Sequence, residues 1–128
     1  MLASISTGLV QLHSRYYGKG PTKAKTYLLD DTVICLLRGG FTRVERTLIA
    51  EGEAQAVHDI RRSFQKAMEV QFRDIIEGAT DRKVIAYMSQ VHEDPEIALE
   101  VFVLEPIPGA TPAEPDEDLP AAESDLTR

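Results

Sequence analysis

Residues 53–78 read EAQAVHDIRRSFQKAMEVQFRDIIEG. Val57, Ile60, Phe64, Ala67, Met68, Phe72, Ile75 and Ile76 recur at helical intervals and draw one apolar stripe, with arginines and acids opposite. The spacing predicts a long helix from Glu53 to about Gly78. One apolar side needs a second layer to cover it.

Outward from that helix, Gly52 closes a shorter one opened by Thr42-Arg43-Val44-Glu45. There the Thr hydroxyl and the Glu carboxylate suit a capping box. Gly39-Gly40 breaks the chain before it. Further upstream, Thr26–Leu29 and Thr32–Leu37 read as short strands joined by a tight turn at Asp30-Asp31. The second strand is apolar on both faces, which predicts a central, well-covered position. Ile5, Leu9, Leu12 and Tyr16 place an amphipathic helix over residues 4–17, ended by Gly18. Beyond the long helix, Lys83–Ser89 and Ala98–Leu104 read as strands around the turn Glu93-Asp94-Pro95-Glu96. The order α-ββ-αα-ββ predicts an α+β two-layer domain, a four-stranded, mostly antiparallel sheet with helices on one face. A free sheet face or edge is often closed by a second copy, so a homodimer is expected.

Composition narrows the function. At 128 residues, with 43% hydrophobic and 27% charged residues, the chain suits one soluble domain. No apolar run approaches the ~18–20 residues that span a bilayer, and the N-terminus lacks a signal-peptide pattern. Direct membrane insertion is not expected. The lone Cys35 excludes an intrachain disulfide and a multi-cysteine zinc site, in keeping with a cytoplasmic setting. Of the net charge of −7, residues 106–128 carry −5 through six acids and one base. Five of the seven prolines lie there too, which predicts a disordered acidic tail after a folded domain of residues 1–105. The acidic balance and the lack of an aromatic platform argue against nucleic-acid binding.

Between Arg15 and Arg46, seven bases meet three acids. At the centre of this segment is Tyr16-Tyr17-Gly18-Lys19-Gly20-Pro21-Thr22-Lys23-Ala24-Lys25. Glycine backbones let amides converge, and lysines add charge. Gly18, Lys19, Gly20, Thr22, Lys23 and Lys25, with Arg46, are therefore the candidate site for a small anion or nucleotide. The same residues also suit a helix cap and turn feeding an edge strand, with lysines guarding that edge. The spacing is not that of a Walker A loop. Arg38, Arg43 and Arg46 lead into the capped helix and are suited either to an anion or to solvent. His92 and Asp94, with Glu93, form the one compact His/carboxylate cluster, suited to a metal or simply to a turn. No nucleophile with a base is readable around Ser63, Ser89 or Cys35, and no cofactor is implied.

Taken with Phe64-Gln65-Lys66-Ala67-Met68, Asp81–Ser89, His92-Glu93-Asp94-Pro95 and Glu100–Glu105, the Tyr16–Lys25 segment makes residues 4–105 resemble the MpsC-like family, formerly catalogued as a domain of unknown function. The resemblance implies association with a cation-translocating, membrane-potential-generating system whose membrane components are linked to inorganic-carbon uptake. It implies an accessory or regulatory role beside a transporter subunit, and it carries over no catalytic residue. A non-enzymatic accessory protein is the first expectation. A small-anion or nucleotide sensor at Gly18–Lys25 is the second, and a metal-dependent enzyme around His92 and Asp94 the third.

Overall fold

The computed structural model describes residues 1–110 and 114–121. The elements run α1 (Leu2–Tyr17), β1 (Lys23–Leu29), β2 (Thr32–Arg38), α2 (Arg43–Ala50), α3 (Ala54–Thr80), β3 (Val84–His92) and β4 (Ile97–Leu104). The expected order holds, with boundaries displaced by a few residues.

Local chemistry explains the joints. Gly18 ends α1 at φ 75° and donates its N–H to the Ser14 carbonyl, a left-handed cap that favours glycine. Leu29 pairs with Thr32, so Asp30-Asp31 is a two-residue hairpin turn, with Asp30 at φ 53°. At the start of α2, Thr42 accepts from the Glu45 N–H while the Glu45 carboxylate accepts from the Thr42 N–H, completing the capping box.

The four strands form one antiparallel sheet in the order β1-β2-β4-β3. Each hairpin is local, and the seam between them runs through β2 and β4. All three helices lie on the same side. Ile5 and Leu9 of α1 and Met68, Phe72 and Ile76 of α3 pack on Val33, Cys35, Leu37, Phe102 and Leu104 of the sheet.

Two expectations need correcting. On α3, Ile60 was expected within the apolar stripe but is 41% exposed, whereas Arg61 is buried with Val57, Met68 and Phe72. The stripe follows steps of four, and Arg61 lies on it. Second, β2 is central, yet only its Val33, Cys35 and Leu37 side is buried beneath helices. Ile34 and Leu36 face away from the helices, and the side chains of neighbouring strands are their main cover.

Within the expected acidic tail, residues 111–113 and 122–128 lie outside the described residues. Residues 106–110 and 114–121 form no helix or strand.

Candidate functional site

The side of the sheet away from the helices is apolar across its centre. Alternation along β1, β2 and β4 turns Tyr27, Ile34 and Val101 outward, and the register sets them in one row with Met88. Leu36 and Leu99 stand in the row on one side of it, Leu29 and Val103 in the row on the other. Met88 is 53% exposed and Leu29 59%, a large cost in water for side chains of this size.

At one corner of this face the aliphatic surface gives way to cations. Lys23, Lys25 and Arg38 line a groove of about 440 Å³ with Tyr27 and Leu36. Lys25 Nζ lies 5.7 Å from the Tyr27 ring centroid, within reach of its π face.

The candidate anion residues do not converge on one point. Lys23 and Lys25 belong to this corner. Thr22 donates its N–H to the Arg38 carbonyl at 2.8 Å, tying the loop to the end of β2. Gly18 serves as the helix cap. Gly20 lies so close to α1 that a Cβ there would come within 2.0 Å of Ser14 Oγ. Arg46 lies elsewhere, clamped on Glu96 by bonds of 2.7 and 3.0 Å. Arg46 is the main cause holding the Glu96 carboxyl below its ordinary range, and Lys19 adds to the effect. Lys19 and Arg46 thus act around Glu96, not with Lys23 and Lys25.

His92 and Asp94 do not meet as ligands. His92 Nδ1 bonds the Pro95 carbonyl at 2.8 Å, which closes the turn. Asp94 lines a shallow groove with Glu93, Glu96, Arg46 and Ile49. Glu93 is engaged by His58 Nε2 at 2.8 Å. Among the described residues, no group of three or more His, Cys, Asp or Glu side chains could hold a metal ion.

Beneath the helices lies a second feature, built from charges. Arg61 Nε and Nη2 grip the Glu45 carboxylate at 2.5 and 2.7 Å, and Nη2 also reaches the Gly40 carbonyl. The guanidinium lies 4.0 Å from the Tyr17 ring centroid and 5.0 Å from that of Phe41. Burial opposes the Glu45 charge, but Arg61 and Thr42 outweigh it and hold the carboxyl below its ordinary range.

Glu100, 1% exposed, points into the same layer from β4. Tyr87 donates its hydroxyl to Glu100 Oε2 at 2.7 Å, and His13 Nε2 lies 3.8 Å from Oε1. Burial pushes the Glu100 carboxyl up to about 7 and the His13 imidazole down to about 4. His13 Nδ1 is 2.8 Å from the Leu9 carbonyl, so the neutral ring carries its proton there. Despite their proximity, His13 and Glu100 form no ion pair between about pH 4 and 7, where burial favours the neutral form of both. Cys35, paired across the sheet with Glu100, is an inert thiol, its pKa raised by burial.

The sequence reading did not single out Glu45, Arg61, His13 or Glu100 as a group. Arg61 could have been found as the lone charge in the Val57, Arg61, Met68, Phe72 spacing. Glu100 had a misleading signal, because its outward neighbours Leu99 and Val101 are the more apolar set.

A family model described as Na+-translocating membrane potential-generating system (MpsC) matches residues 1–106. The chain belongs to the MpsC family. Among curated proteins and solved structures, nothing matches it. The MpsC match covers all seven elements, the open sheet face and the buried charges. Among the described residues of this MpsC chain, no helix is long and apolar enough to cross a membrane.

Proposed function

We propose that this MpsC-family protein is a non-enzymatic accessory or regulatory component of a Na+-translocating, membrane-potential-generating system, acting in the cytoplasm through protein contacts and as a homodimer. The open aliphatic sheet face carries this reading. Catalysis needs polar groups converging on a cavity, whereas Ile34, Leu36, Leu99 and Val101 offer shape and apolar area to another protein. The family's description supports the link to a membrane system, and ion passage is then the task of another subunit. Inorganic carbon is the co-transported species that this reading favours.

Deletion of the gene in its own cells should lower the Na+-dependent membrane potential, read with a potential-sensitive dye. It should also slow bicarbonate uptake. The wild-type gene should restore both. Unchanged potential and unchanged uptake in the deletion strain would overturn the reading.

A second reading is favoured by the cationic corner: a small-anion or nucleotide sensor, with the ligand held by Lys23, Lys25 and Arg38 against Tyr27. Phosphate, bicarbonate or a nucleotide should then raise the melting temperature as RT ln(1 + [L]/Kd) dictates. Lys25→Ala/Arg38→Ala should remove the rise. A flat response to all three ligands would sink it.

A further inference from the structure

We infer that the open sheet face is the contact between two copies of this chain, related by a two-fold axis parallel to the sheet and midway between the two faces that brings unlike charged corners together. This rests on the protein-contact reading above and specifies the surface, the occupant and the symmetry.

Area comes first. Four strands spaced ~4.8 Å apart, with seven-residue central runs rising ~3.3 Å per residue, make a face of roughly 19 by 23 Å. Two such faces, roughened by side chains, bury on the order of 1,000 Å² in total, about the minimum for a specific interface. Apolar area alone therefore makes a dimer of modest strength, and the rim must set its geometry.

The rim carries a pattern suited to this. Lys23, Lys25 and Arg38 mark one corner. Along the same hairpin, the opposite corner is the Asp30-Asp31 turn. Across the sheet from the cationic corner is the β3–β4 turn, with Glu93 and Asp94, and diagonal to it is Arg82-Lys83 at the start of β3. Some of these charges are already engaged within the chain: Asp31 by Arg82, Glu93 by His58. Lys23, Lys25 and Arg38 remain at one corner and Asp30 at the other end of the same hairpin, whereas Asp94 lines a groove with Arg46 and Ile49 of α2, and Glu105, whose N–H bonds the Lys83 carbonyl, offsets Lys83 at the diagonal. The β1–β2 side of the face therefore carries opposite signs at its two ends.

An isologous contact places each surface on its own copy. Turning the partner over about the in-plane direction perpendicular to the strands sets the cationic corner on Asp30 of the other copy. This rotation joins unlike ends of the β1–β2 hairpin and lays the Tyr27, Ile34, Val101, Met88 row against its counterpart. Rotation about a diagonal stacks like charges and is excluded. The pairing of charge with shape is self-complementary, which favours a second copy over an unrelated protein.

Analytical ultracentrifugation of the full chain tests this directly. A dimer is expected at ~50 µM. Val101→Asp should raise Kd more than ~10-fold, with circular dichroism unchanged. Met88→Glu, at a position already half exposed, provides a second variant whose folding is not in question. Carbodiimide treatment of a mixture of 14N- and 15N-labelled chains should give mixed-isotope cross-links from Lys23 or Lys25 to Asp30. A monomer at ~50 µM, a dimer indifferent to both variants, or no cross-link to Asp30 would overturn the inference. A monomer would also remove the homodimer from the proposed function, whereas the membrane potential of the deletion strain tests the accessory role alone, so the two failures are distinguishable.

Discussion

The two sides of the sheet reverse the usual distribution of polarity. The side beneath the helices holds Glu100, and the layer above it holds His13, Arg61 and Glu45, all nearly inaccessible to water. On the opposite side, Ile34, Leu36, Leu99, Val101 and Val103 have no helix over them. Charge is tolerated inside because each group is either gripped by an opposite charge or kept neutral by burial. Aliphatic side chains outside have no such internal remedy, and only another surface can remove them from water. The covered side therefore concerns how the chain holds one packing, and in the proposal above the open side concerns what it meets.

The sharpest way to break this contrast is to orphan a buried charge. Arg61→Leu leaves Glu45 buried without its partner, and stability should fall by about 3–5 kcal/mol in denaturant unfolding. Glu45→Leu/Arg61→Leu should recover much of that loss, apart from the cap. Neighbours on a single strand sharpen the comparison. Phe102→Ala, inside, should also cost about 3–5 kcal/mol, whereas Val101→Thr, outside, should shift the unfolding of dilute protein by less than about 0.5 kcal/mol. Similar losses for the two would show that the outer face is part of the monomer's core.

The buried acid and imidazole give a pH signature. With its carboxyl raised to about 7, folded Glu100 keeps a proton that the unfolded chain sheds from about pH 4.5 upward. Its contribution therefore falls as pH rises through that window, and the penalty is complete above 7. His13, lowered to about 4, refuses a proton that the unfolded chain takes up below its ordinary 6.5, so its contribution falls as pH drops from 6.5 to 4. Between pH 4.5 and 6.5 the two slopes oppose. Glu100→Gln should thus stabilise the protein by roughly 2–3 kcal/mol at pH 8 and by little at pH 4.5, measured as unfolding free energy across pH. An equal gain at both would mean that Glu100 titrates as an ordinary carboxyl. Gly18→Ala is a smaller effect than the loss of a buried partner. No atom lies within 4 Å of the added methyl, so the cost is the left-handed φ alone, about 1 kcal/mol in melting experiments.

The parts of the fold set by local chemistry were legible in the chain. The capping box at Thr42 and Glu45, the Asp30-Asp31 turn and the Gly18 stop each involve residues within a few positions of one another, and so does the stripe of α3. What was not legible depends on partners far apart in sequence. Arg61 is buried because Glu45, Tyr17 and Phe41 converge on it, and no spacing announces that. Glu100 alternates with Val101, and the alternation cannot tell which side the helices will cover when the aliphatic set faces out. The cations of the candidate anion loop are neighbours along the chain, and that proximity alone suggests one site. Strand alternation sends Lys23 and Lys25 to the open face, while Glu96 draws Arg46 away. The turn at His92 was legible as a turn, and its ring bonds the Pro95 carbonyl.

The seam between the two hairpins carries a consequence for synthesis. Arg38 pairs with Ile97 and Thr32 with Val103, partners 59 and 71 residues apart. A ribosome adding about 5–20 residues per second delivers β2 roughly 3–14 s before β4. For that interval the apolar strand Thr32–Arg38 has one unpaired edge and no β4 beside it. Crowded polysomes, where nascent copies lie side by side, are the setting in which that open edge is most exposed to pairing with another copy.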